Sequence, residues 1–371
     1  MDLFNSVAAD GLARDPNHLS ILYRALRQAN SGNLRETLRA DRLLSQAFVE
    51  YVRDVRWLKS AEMIWVDPEL RPSSEFPRRL LNEAADAPSL ETYLTEMRWM
   101  NPIYAGLRHV LSVGVEGNRD LIALNLERAR ALPASRGRYI IVNASAAELT
   151  MYEDGQRVDS MRVVVGKPIY PTPVMAAKIR YASLNPYWNV PPDLAAERIA
   201  PNVVKDGKAY LKLKGYQLLS SWDDDATVVS PDTVDWASVA AGKTEVRIRQ
   251  LPGPSNSMGK MKFMFPNGQG VYLHDTPDKN LLGEETRMFS GGCVRLEDAP
   301  RLARWLFNGV PPSTKSAKPE QRVDLLEPVP VFLTYLTAIP SEDGIAFLPD
   351  VYNRDRAALA ALYGRRAVAS R

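Results

Sequence analysis

The only cysteine of this 371-residue chain and one of its three histidines lie in sequence surroundings that suit chemistry. His274 stands in Val271-Tyr-Leu-His-Asp-Thr-Pro277, and Cys293 follows in Ser290-Gly-Gly-Cys-Val-Arg295. A lone cysteine is most often a small core residue, and a lone histidine near a strand end is most often structural. The two glycines before the cysteine favour a backbone turn over regular packing. A thiol within hydrogen-bond distance of an imidazole would be a nucleophile with its general base.

The neighbouring elements would position both residues. In the predicted strand Val271–His274, alternation places Tyr272 and His274 on one face. After the cysteine, apolar residues at helical spacing predict a helix that starts near Asp298 and ends near Gly309; they are Ala299, Leu302, Ala303, Leu306 and Phe307. The cysteine would then lie just upstream of a helix N-terminus, whose partial positive charge favours the thiolate. Amides of the glycine loop would face a developing oxyanion.

Composition argues against several other classes of protein. The formal net charge of +3 is too small to indicate a nucleic-acid partner. A single cysteine rules out an intramolecular disulfide and a cysteine-cluster zinc site. His18, His109 and His274 show no metal-ligand spacing, so we expect no hydrolytic metal centre. No stretch approaches about 20 apolar residues, and we expect no membrane span. The N-terminus lacks the pattern of a signal peptide, which fits either a cytoplasmic protein or the mature form of an exported one.

The periodicity of the sequence changes after a predicted linker at residues 132–138. Residues 1–134 are predicted to form a helical domain, because apolar stripes recur at helical spacing, as in Leu44, Ala47, Phe48, Tyr51, Val52 and Val55. Residues 135–340 are predicted to form a mainly β domain, with strands near 139–144, 148–152, 160–166, 245–249, 271–274 and 329–337. Residues about 191–242 interrupt this pattern and are predicted to be an inserted cap. The tail, 341–371, predicts a helix that joins the N-terminal helices. The fold class is therefore α+β.

These motifs together resemble the L,D-transpeptidase (YkuD-type) catalytic domain, and most of all the large scaffold-bearing enzymes of Gram-negative periplasms. Beside the His274 and Cys293 motifs, the resemblance rests on Asn125-Leu-Glu-Arg, Val165-Gly, Pro171-Thr-Pro, Asn185-Pro-Tyr-Trp-Asn-Val-Pro and Arg249-Gln-Leu-Pro-Gly-Pro-Ser-Asn-Ser-Met-Gly. It implies a β-sandwich or barrel-like catalytic domain and a periplasmic location. In many family members a second histidine occupies the place of Gly291, so His274 is the only local base. The usual peptidoglycan-binding module is missing, because residues 103–111 run on to Asn125 too quickly to hold one.

The resemblance also implies a reaction that uses neither a metal nor a cofactor. The Cys293 thiolate would attack the third-residue carbonyl of a peptidoglycan tetrapeptide stem and release D-alanine, with His274 as base and then acid. The backbone carbonyl of Asp275 would orient the imidazole, and the amides of Gly292 and Cys293, with Gly291 as a further candidate, would bind the oxyanion. A diamino-acid amine would resolve the thioester into a 3→3 cross-link. Hydrolysis by the same cysteine (an L,D-carboxypeptidase), D-amino-acid exchange and a non-catalytic wall-binding scaffold are the alternatives.

Four further residues are assigned to substrate binding, and two of them have an alternative role. Tyr272 either lines the acyl cleft or is an ordinary strand aromatic. Arg295 either meets a stem carboxylate or braces the loop through backbone carbonyls, and we favour the brace. Ser290 and Gly291 are assigned by their place in the loop. The expected partners are stem peptides, carbapenem-class β-lactams as inhibitors and cell-wall synthesis proteins.

An ordinary histidine pKa predicts that activity declines as the pH falls from about 8 to 5.

Overall fold

The computed structural model describes residues 1–13, 15–57, 62–72, 77–114, 117–314 and 318–369. The chain forms two compact units: unit 1 is Met1–Ser160, Pro173–Ala177 and Pro330–Arg371, and unit 2 is Met161–Thr172 and Lys178–Val329. This division differs from the predicted boundary at residue 134. Its physical reason is that Tyr139, Ile141 and Tyr152 belong to the same buried cluster as Trp99 and Tyr104, so the first strands pack with the helices.

The helices occupy mainly the first third and the end of the chain, as predicted. They are α1 (Asp2–Asn5), α2 (Pro16–Ala29), α3 (Leu34–Arg56), α4 (Pro77–Asp86), α5 (Leu90–Glu96), α6 (Pro102–Val113), α7 (Arg119–Ala129), α8 (Pro192–Leu194), α9 (Ala200–Asp206), α10 (Ala209–Leu213), α11 (Trp236–Ala240), α12 (Ala299–Leu306) and α13 (Asp355–Ala369). Within the described ranges, none of these helices combines the length and the apolar character needed to cross a bilayer.

The strands follow the predicted linker, apart from one short strand before it. They are β1 (Ile64–Trp65), β2 (Arg138–Asn143), β3 (Glu148–Glu153), β4 (Gln156–Gly166), β5 (Met175–Leu184), β6 (Trp188–Val190), β7 (Tyr216–Leu219), β8 (Val228–Val229), β9 (Arg247–Gln250), β10 (Met261–Met264), β11 (Leu273–His274), β12 (Met288–Ser290), β13 (Val294–Leu296), β14 (Gln321–Thr334), β15 (Ala338–Ser341) and β16 (Gly344–Phe347). The mixture of a helical N-terminal region and a mainly β region confirms the predicted fold class.

Unit 1 contains the helical region together with β2 and β3. The apolar stripe of α3 is buried at Ala47, Phe48, Tyr51, Val52 and Val55, as its spacing predicted. The C-terminal helix α13 packs against α7, as predicted for the tail. Only residues 114–118 separate α6 from α7.

A buried carboxylate ties the start of the chain to the helices of unit 1. Asp10 is 1% exposed and accepts hydrogen bonds from Tyr51 Oη at 3.0 Å, Tyr104 Oη at 2.7 Å and Arg108 Nε at 2.9 Å. Because a buried charge is costly unless it is paired and hydrogen-bonded, this network fixes the segment that carries Asp10.

Unit 2 contains the sheet that carries the candidate site. Strand β10 pairs antiparallel with both β5 and β11, β11 pairs parallel with β13, and β13 pairs antiparallel with β4. The strand predicted at 271–274 is shorter in the structure. The side chain of Asn267 bonds both to the N–H and to the carbonyl oxygen of Val271, which holds that residue in a loop.

The interruption of the β pattern corresponds to a small subdomain within unit 2, which we call the cap. Its four strands run in the order β6-β9-β7-β8, and its own core includes Trp188, Ile199, Trp236 and Ile248. The predicted limits of 191–242 were too narrow. Strand β9 was expected to belong to the catalytic sheet, but it pairs with β6 and β7 and so belongs to the cap.

Candidate active site

The loop Ser290–Cys293 connects β12 to β13 and is closed by its own serine. Ser290 Oγ donates to the carbonyl oxygen of Cys293 at 2.5 Å and accepts from the N–H of Gly292 at 3.1 Å. Gly292 has φ +112°, a conformation that side chains with a Cβ rarely adopt. Glycine is therefore required at 292 by the backbone, and Ser290 holds the turn that presents Cys293.

Two upstream segments that carry the resemblance, Val165-Gly and Pro171-Thr-Pro, contact this loop through Thr172. Thr172 Oγ1 donates to the carbonyl oxygen of Gly292 at 2.9 Å and accepts from the N–H of Gly166 at 2.9 Å. A Cβ on Gly166 would lie 2.1 Å from the carbonyl oxygen of Tyr170, so only glycine permits this close approach. The segments around residues 165–166 and 171–173 thus support the cysteine loop.

His274 lies at the end of β11 and is 1% exposed. Its Nδ1 lies 2.6 Å from the backbone carbonyl oxygen of Asp275. Because a carbonyl can only accept, Nδ1 carries the proton and Nε2 keeps its lone pair. This is the orienting contact that the resemblance implied, and it leaves Nε2 as the proton acceptor.

The carboxylate of Asp275 serves a different purpose from its carbonyl. Oδ2 accepts from the backbone N–H of Lys260 at 3.0 Å, and Oδ1 lies 3.0 Å from Lys279 Nζ. Gly259 has φ +63°, and a Cβ there would lie within 2.6 Å of the Asp275 side chain. The carboxylate therefore anchors neighbouring loops and does not orient the imidazole.

The strand register brings the thiol and the imidazole to one face of the sheet. In the parallel pair of β11 and β13, Leu273 is opposite Val294 and His274 is opposite Arg295. Continuing the register by one residue places Tyr272 opposite Cys293, and the N–H of Val294 donates to the carbonyl oxygen of Tyr272 at 3.2 Å. Since side chains alternate along a strand, Cys293 and His274 share a face as diagonal neighbours on adjacent strands.

Tyr272 packs against the imidazole on that face. The two ring centroids are 5.7 Å apart in an edge-to-face arrangement, as the alternation predicted. The half-buried Cys293 places its Sγ 3.7 Å from the carbonyl oxygen of Gly270. Burial and the adjacent Cys293 raise the pKa of the Tyr272 phenol, which therefore stays neutral beside the thiol.

Burial dominates the titration of both candidate catalytic groups. It raises the pKa of the Cys293 thiol, although hydrogen bonding by Tyr272 and the charge of Arg295 act in the opposite direction. Burial and then Arg295 lower the pKa of His274 to about 3. At neutral pH the resting pair is therefore a thiol and a neutral imidazole. An attack by this thiol on a carbonyl group would therefore require removal of its proton in the same step, and the neutral imidazole could accept that proton.

The expected assistance from a helix N-terminus is not observed. Strand β13 lies between Cys293 and α12, and Asp298 caps the helix by accepting from the N–H of Arg301 at 2.9 Å. Asp298 as the cap agrees with the prediction. The thiol, however, precedes a strand, so the effect of the helix dipole, which falls off within the first turn, does not explain its activation.

Lys262, which sequence reasoning missed, stands on the other side of His274 from Arg295. It is the register partner of His274 across β10 and β11. Its Nζ lies 3.2 Å from Glu320 Oε1 and 5.6 Å from the centre of the Tyr272 ring. The sequence held a sign of this residue, since one lysine interrupts the apolar run Met261-Lys-Phe-Met-Phe265.

The predicted oxyanion donors need one correction. The N–H of Gly292 already donates to Ser290 Oγ, so the structure gives this amide an internal partner. Among the described residues, none accepts a hydrogen bond from the N–H of Gly291 or of Cys293. These two amides are therefore the better candidates for binding an oxyanion.

Arg295 does not brace the loop in the way we favoured from sequence. Its side chain is 13% exposed, and the nearest described carboxylate oxygen, Asp278 Oδ2, is 3.9 Å from Nη1. Its Nε is buried and has no hydrogen-bond partner among the described residues. The guanidinium thus faces the site with little neutralisation, which favours the alternative of a carboxylate ligand.

The remaining residues of the resemblance shape the surroundings of the site. Trp188 is buried in the core of the cap, as expected for a packing residue. Asn256 is fully buried and donates to the carbonyl oxygens of Pro186, Gln250 and Leu251. It therefore fixes the loop that leads to Gly259 and the carboxylate of Asp275. Thiol, imidazole and free amides together form a site suited to acyl transfer through a thioester.

Comparisons with known proteins identify the family. Residues 137–324 match the family model of the YkuD L,D-transpeptidase catalytic domain, and residues 1–111 match that of a Scaffold domain. A Haemophilus influenzae protein assigned as an L,D-transpeptidase is 30% identical over 373 residues, which cover 95% of this chain and 73% of that protein. The chain belongs to the YkuD L,D-transpeptidase family, as the sequence motifs predicted.

Solved structures of family members are more distant. An L,D-transpeptidase from Mycobacterium smegmatis is 14% identical with a TM-score of 0.26, and the match covers 53% of this chain and 58% of that one. L,D-transpeptidase 3 from Mycobacterium tuberculosis, in complex with a faropenem-derived adduct, is 17% identical with a TM-score of 0.26 over 56% of this chain and 65% of that one. The chain thus spans less than two thirds of the length of both solved structures.

Proposed function

We propose that this protein is a peptidoglycan L,D-transpeptidase with Cys293 as its nucleophile. The observation that carries the proposal is the strand register, which puts Cys293 diagonal to His274 while the Asp275 carbonyl keeps Nε2 free. Family membership supports the reaction class, and the geometry supports the roles that we assign to the individual residues.

The first half-reaction acylates the cysteine. Nε2 of His274 takes the thiol proton as sulfur attacks the third-residue carbonyl of a tetrapeptide stem, and the amides of Gly291 and Cys293 bind the oxyanion. When the intermediate collapses, the bond to the terminal D-alanine breaks, and His274 returns the proton to the departing amine. The products are a thioester on Cys293 and free D-alanine.

The second half-reaction transfers the acyl group. The side-chain amine of a diamino acid in a second stem attacks the thioester and loses a proton to His274, which passes it to the sulfur as the thiolate leaves. The new amide is a 3→3 cross-link. Water as acceptor would give a tripeptide, and a free D-amino acid would give an exchanged tetrapeptide.

The setting of the reaction follows from the same proposal. A protein that acts on this substrate works in the periplasm, next to the wall and to wall-synthesis proteins. There it contributes to wall biogenesis and cell shape. In this proposal the wall is bound by the catalytic cleft, the cap or a partner protein. Carbapenem-class β-lactams inhibit by acylating Cys293.

Incubation with purified sacculi, followed by muropeptide analysis, tests this function. The expected products are 3→3 linked dimers and released D-alanine, and both disappear with Cys293→Ala. Tripeptide monomers alone would replace the proposal with an L,D-carboxypeptidase, and exchanged tetrapeptides alone with an exchange enzyme. Unchanged muropeptides with the wild type would refute enzymatic action on this polymer.

A further inference from the structure

A second arginine, contributed by the cap, lies beside the cysteine loop. Arg198 belongs to a single π-helical turn, Ala195–Ile199. Such turns are rare in proteins, and those that occur often lie at functional sites. Its Nη2 lies 3.5 Å from the carbonyl oxygen of Phe289, the residue before Ser290. Leu194, just before the turn, would lie 3.7 Å from a Cβ placed on Gly291. This part of the cap therefore lies against the loop that carries Cys293.

The charge of Arg198 has no carboxylate partner in the described structure. The adjacent Glu197 accepts instead from Tyr170 Oη at 3.2 Å. No described Asp or Glu oxygen lies within ion-pair distance of Arg198, whereas Lys208, also in the cap, pairs with Asp232 at 2.6 Å. The cap thus directs an unpaired guanidinium toward the loop that carries Cys293.

Arg295 presents a second, poorly paired guanidinium at the same place. Its only described ion-pair partner is Asp278 at 3.9 Å, and that carboxylate is 68% exposed. Arg198 contacts Phe289 at one end of the cysteine loop, and Arg295 follows Cys293 by two residues at the other end. Burial lowers the pKa of Arg295, and the charge of Arg198 acts in the same direction. Two mutually repelling cations beside a nucleophile are destabilising unless an anion binds between them.

We propose that Arg198 and Arg295 together form the binding site for a carboxylate of the donor stem, next to the bond that Cys293 cleaves. This inference rests on the proposed function and extends it by naming how the donor is recognised. A guanidinium offers two parallel N–H donors that match the two oxygens of a carboxylate. The carboxylate of the terminal D-alanine lies next to that bond, and a diamino acid whose side chain bears a carboxyl group would place a second carboxylate there.

Donor peptides with selectively amidated carboxyl groups test the site and distinguish its two possible ligands. Binding is measured by calorimetry on Cys293→Ala, so that affinity is read without turnover. We expect Arg198→Gln, introduced into Cys293→Ala, to weaken binding of the free-acid tetrapeptide by about 10- to 100-fold. The donor that lacks the recognised carboxylate should bind with equal affinity to Cys293→Ala and to the double variant with Arg198→Gln. Arg198→Lys should retain part of the affinity for the free-acid tetrapeptide.

Controls keep the outcome unambiguous. Arg247→Gln removes an exposed arginine of the cap whose Nη1 lies 3.4 Å from the carbonyl oxygen of Ser220, and it should not change affinity. Arg295→Lys tests the second arginine with its charge retained. Equal losses for free and amidated donors, or no loss with Arg198→Gln, would overturn the carboxylate site. Failure of the proposed function would appear separately, as unchanged sacculi with the wild type.

Discussion

Arg295 is the direct register partner of His274 across the parallel strands β11 and β13. A guanidinium therefore stands beside the imidazole on one side, and Lys262 occupies the corresponding position on the other. Two flanking cations and full burial disfavour an imidazolium. The site is thus arranged for a neutral thiol–imidazole pair, and the cations favour negative charge that develops on sulfur and on the substrate.

The first prediction concerns pH. Because the pKa of His274 is lowered to about 3 and that of Cys293 is raised, neither group titrates between pH 5 and 8. The acylation rate by a carbapenem should be flat over this range, contrary to the decline that an ordinary histidine predicts. Stopped-flow measurement of acylation at a series of pH values checks this.

The control for the pH profile is His274→Gln, which should acylate about 100- to 10,000-fold more slowly at every pH. A wild-type rate that falls with a midpoint near the ordinary histidine pKa of about 6.5 would contradict the buried neutral imidazole.

The second prediction compares the two glycines of the loop. Gly292→Ala forces a Cβ into φ +112° and should lower the free energy of unfolding by about 1–3 kcal/mol, with a marked loss of acylation. The space around position 292 is not limiting, since the nearest atoms would be 3.8 Å from the added Cβ. Urea unfolding and acylation rates measure both effects.

Gly291→Ala is the matched control, because it keeps the N–H and its Cβ would make only an ordinary 3.7 Å contact with Leu194. Comparable losses in the two variants would show that space, and not backbone conformation, sets the requirement for glycine.

The third prediction concerns Lys262. Replacing it by Met removes a cation beside His274, so the pKa values of the imidazole and of the thiol should both rise, and acylation should slow. The pKa of His274 can be followed by NMR of labelled histidine, with His274→Gln assigning the resonance.

Two variants control the Lys262 experiment. Lys262→Arg keeps the charge and should preserve the pKa of His274. Lys260→Met removes an exposed lysine that contacts Asp275 through its backbone N–H, and it should leave that pKa unchanged. If Lys262→Met behaves like Lys260→Met, the lysine has no electrostatic role at the site.

Local patterns predicted much of the fold. The buried stripe of α3, the cap residue Asp298 and the strands near residues 139–152 were all visible in the sequence, because spacing and capping depend on near neighbours. Tyr272 and His274 were placed on one face for the same reason.

Features that depend on distant pairing could not be predicted. Strand β13 was missed because three residues carry little periodic pattern. Strand β9 was placed outside the cap because its partners β6 and β7 lie far away in sequence. Arg198 was missed because only the folded cap brings it to Phe289. The shifted pKa values of Cys293 and His274 depend on burial, which motifs do not encode.

Intact-mass spectrometry after exposure to a carbapenem tests the central claim most directly, with the modified peptide mapped by fragmentation. The wild type should gain one adduct, located on Cys293, and Cys293→Ala should gain none. An unmodified wild type would favour a non-catalytic wall-binding scaffold, and an adduct that persists in Cys293→Ala would show that another residue is the nucleophile.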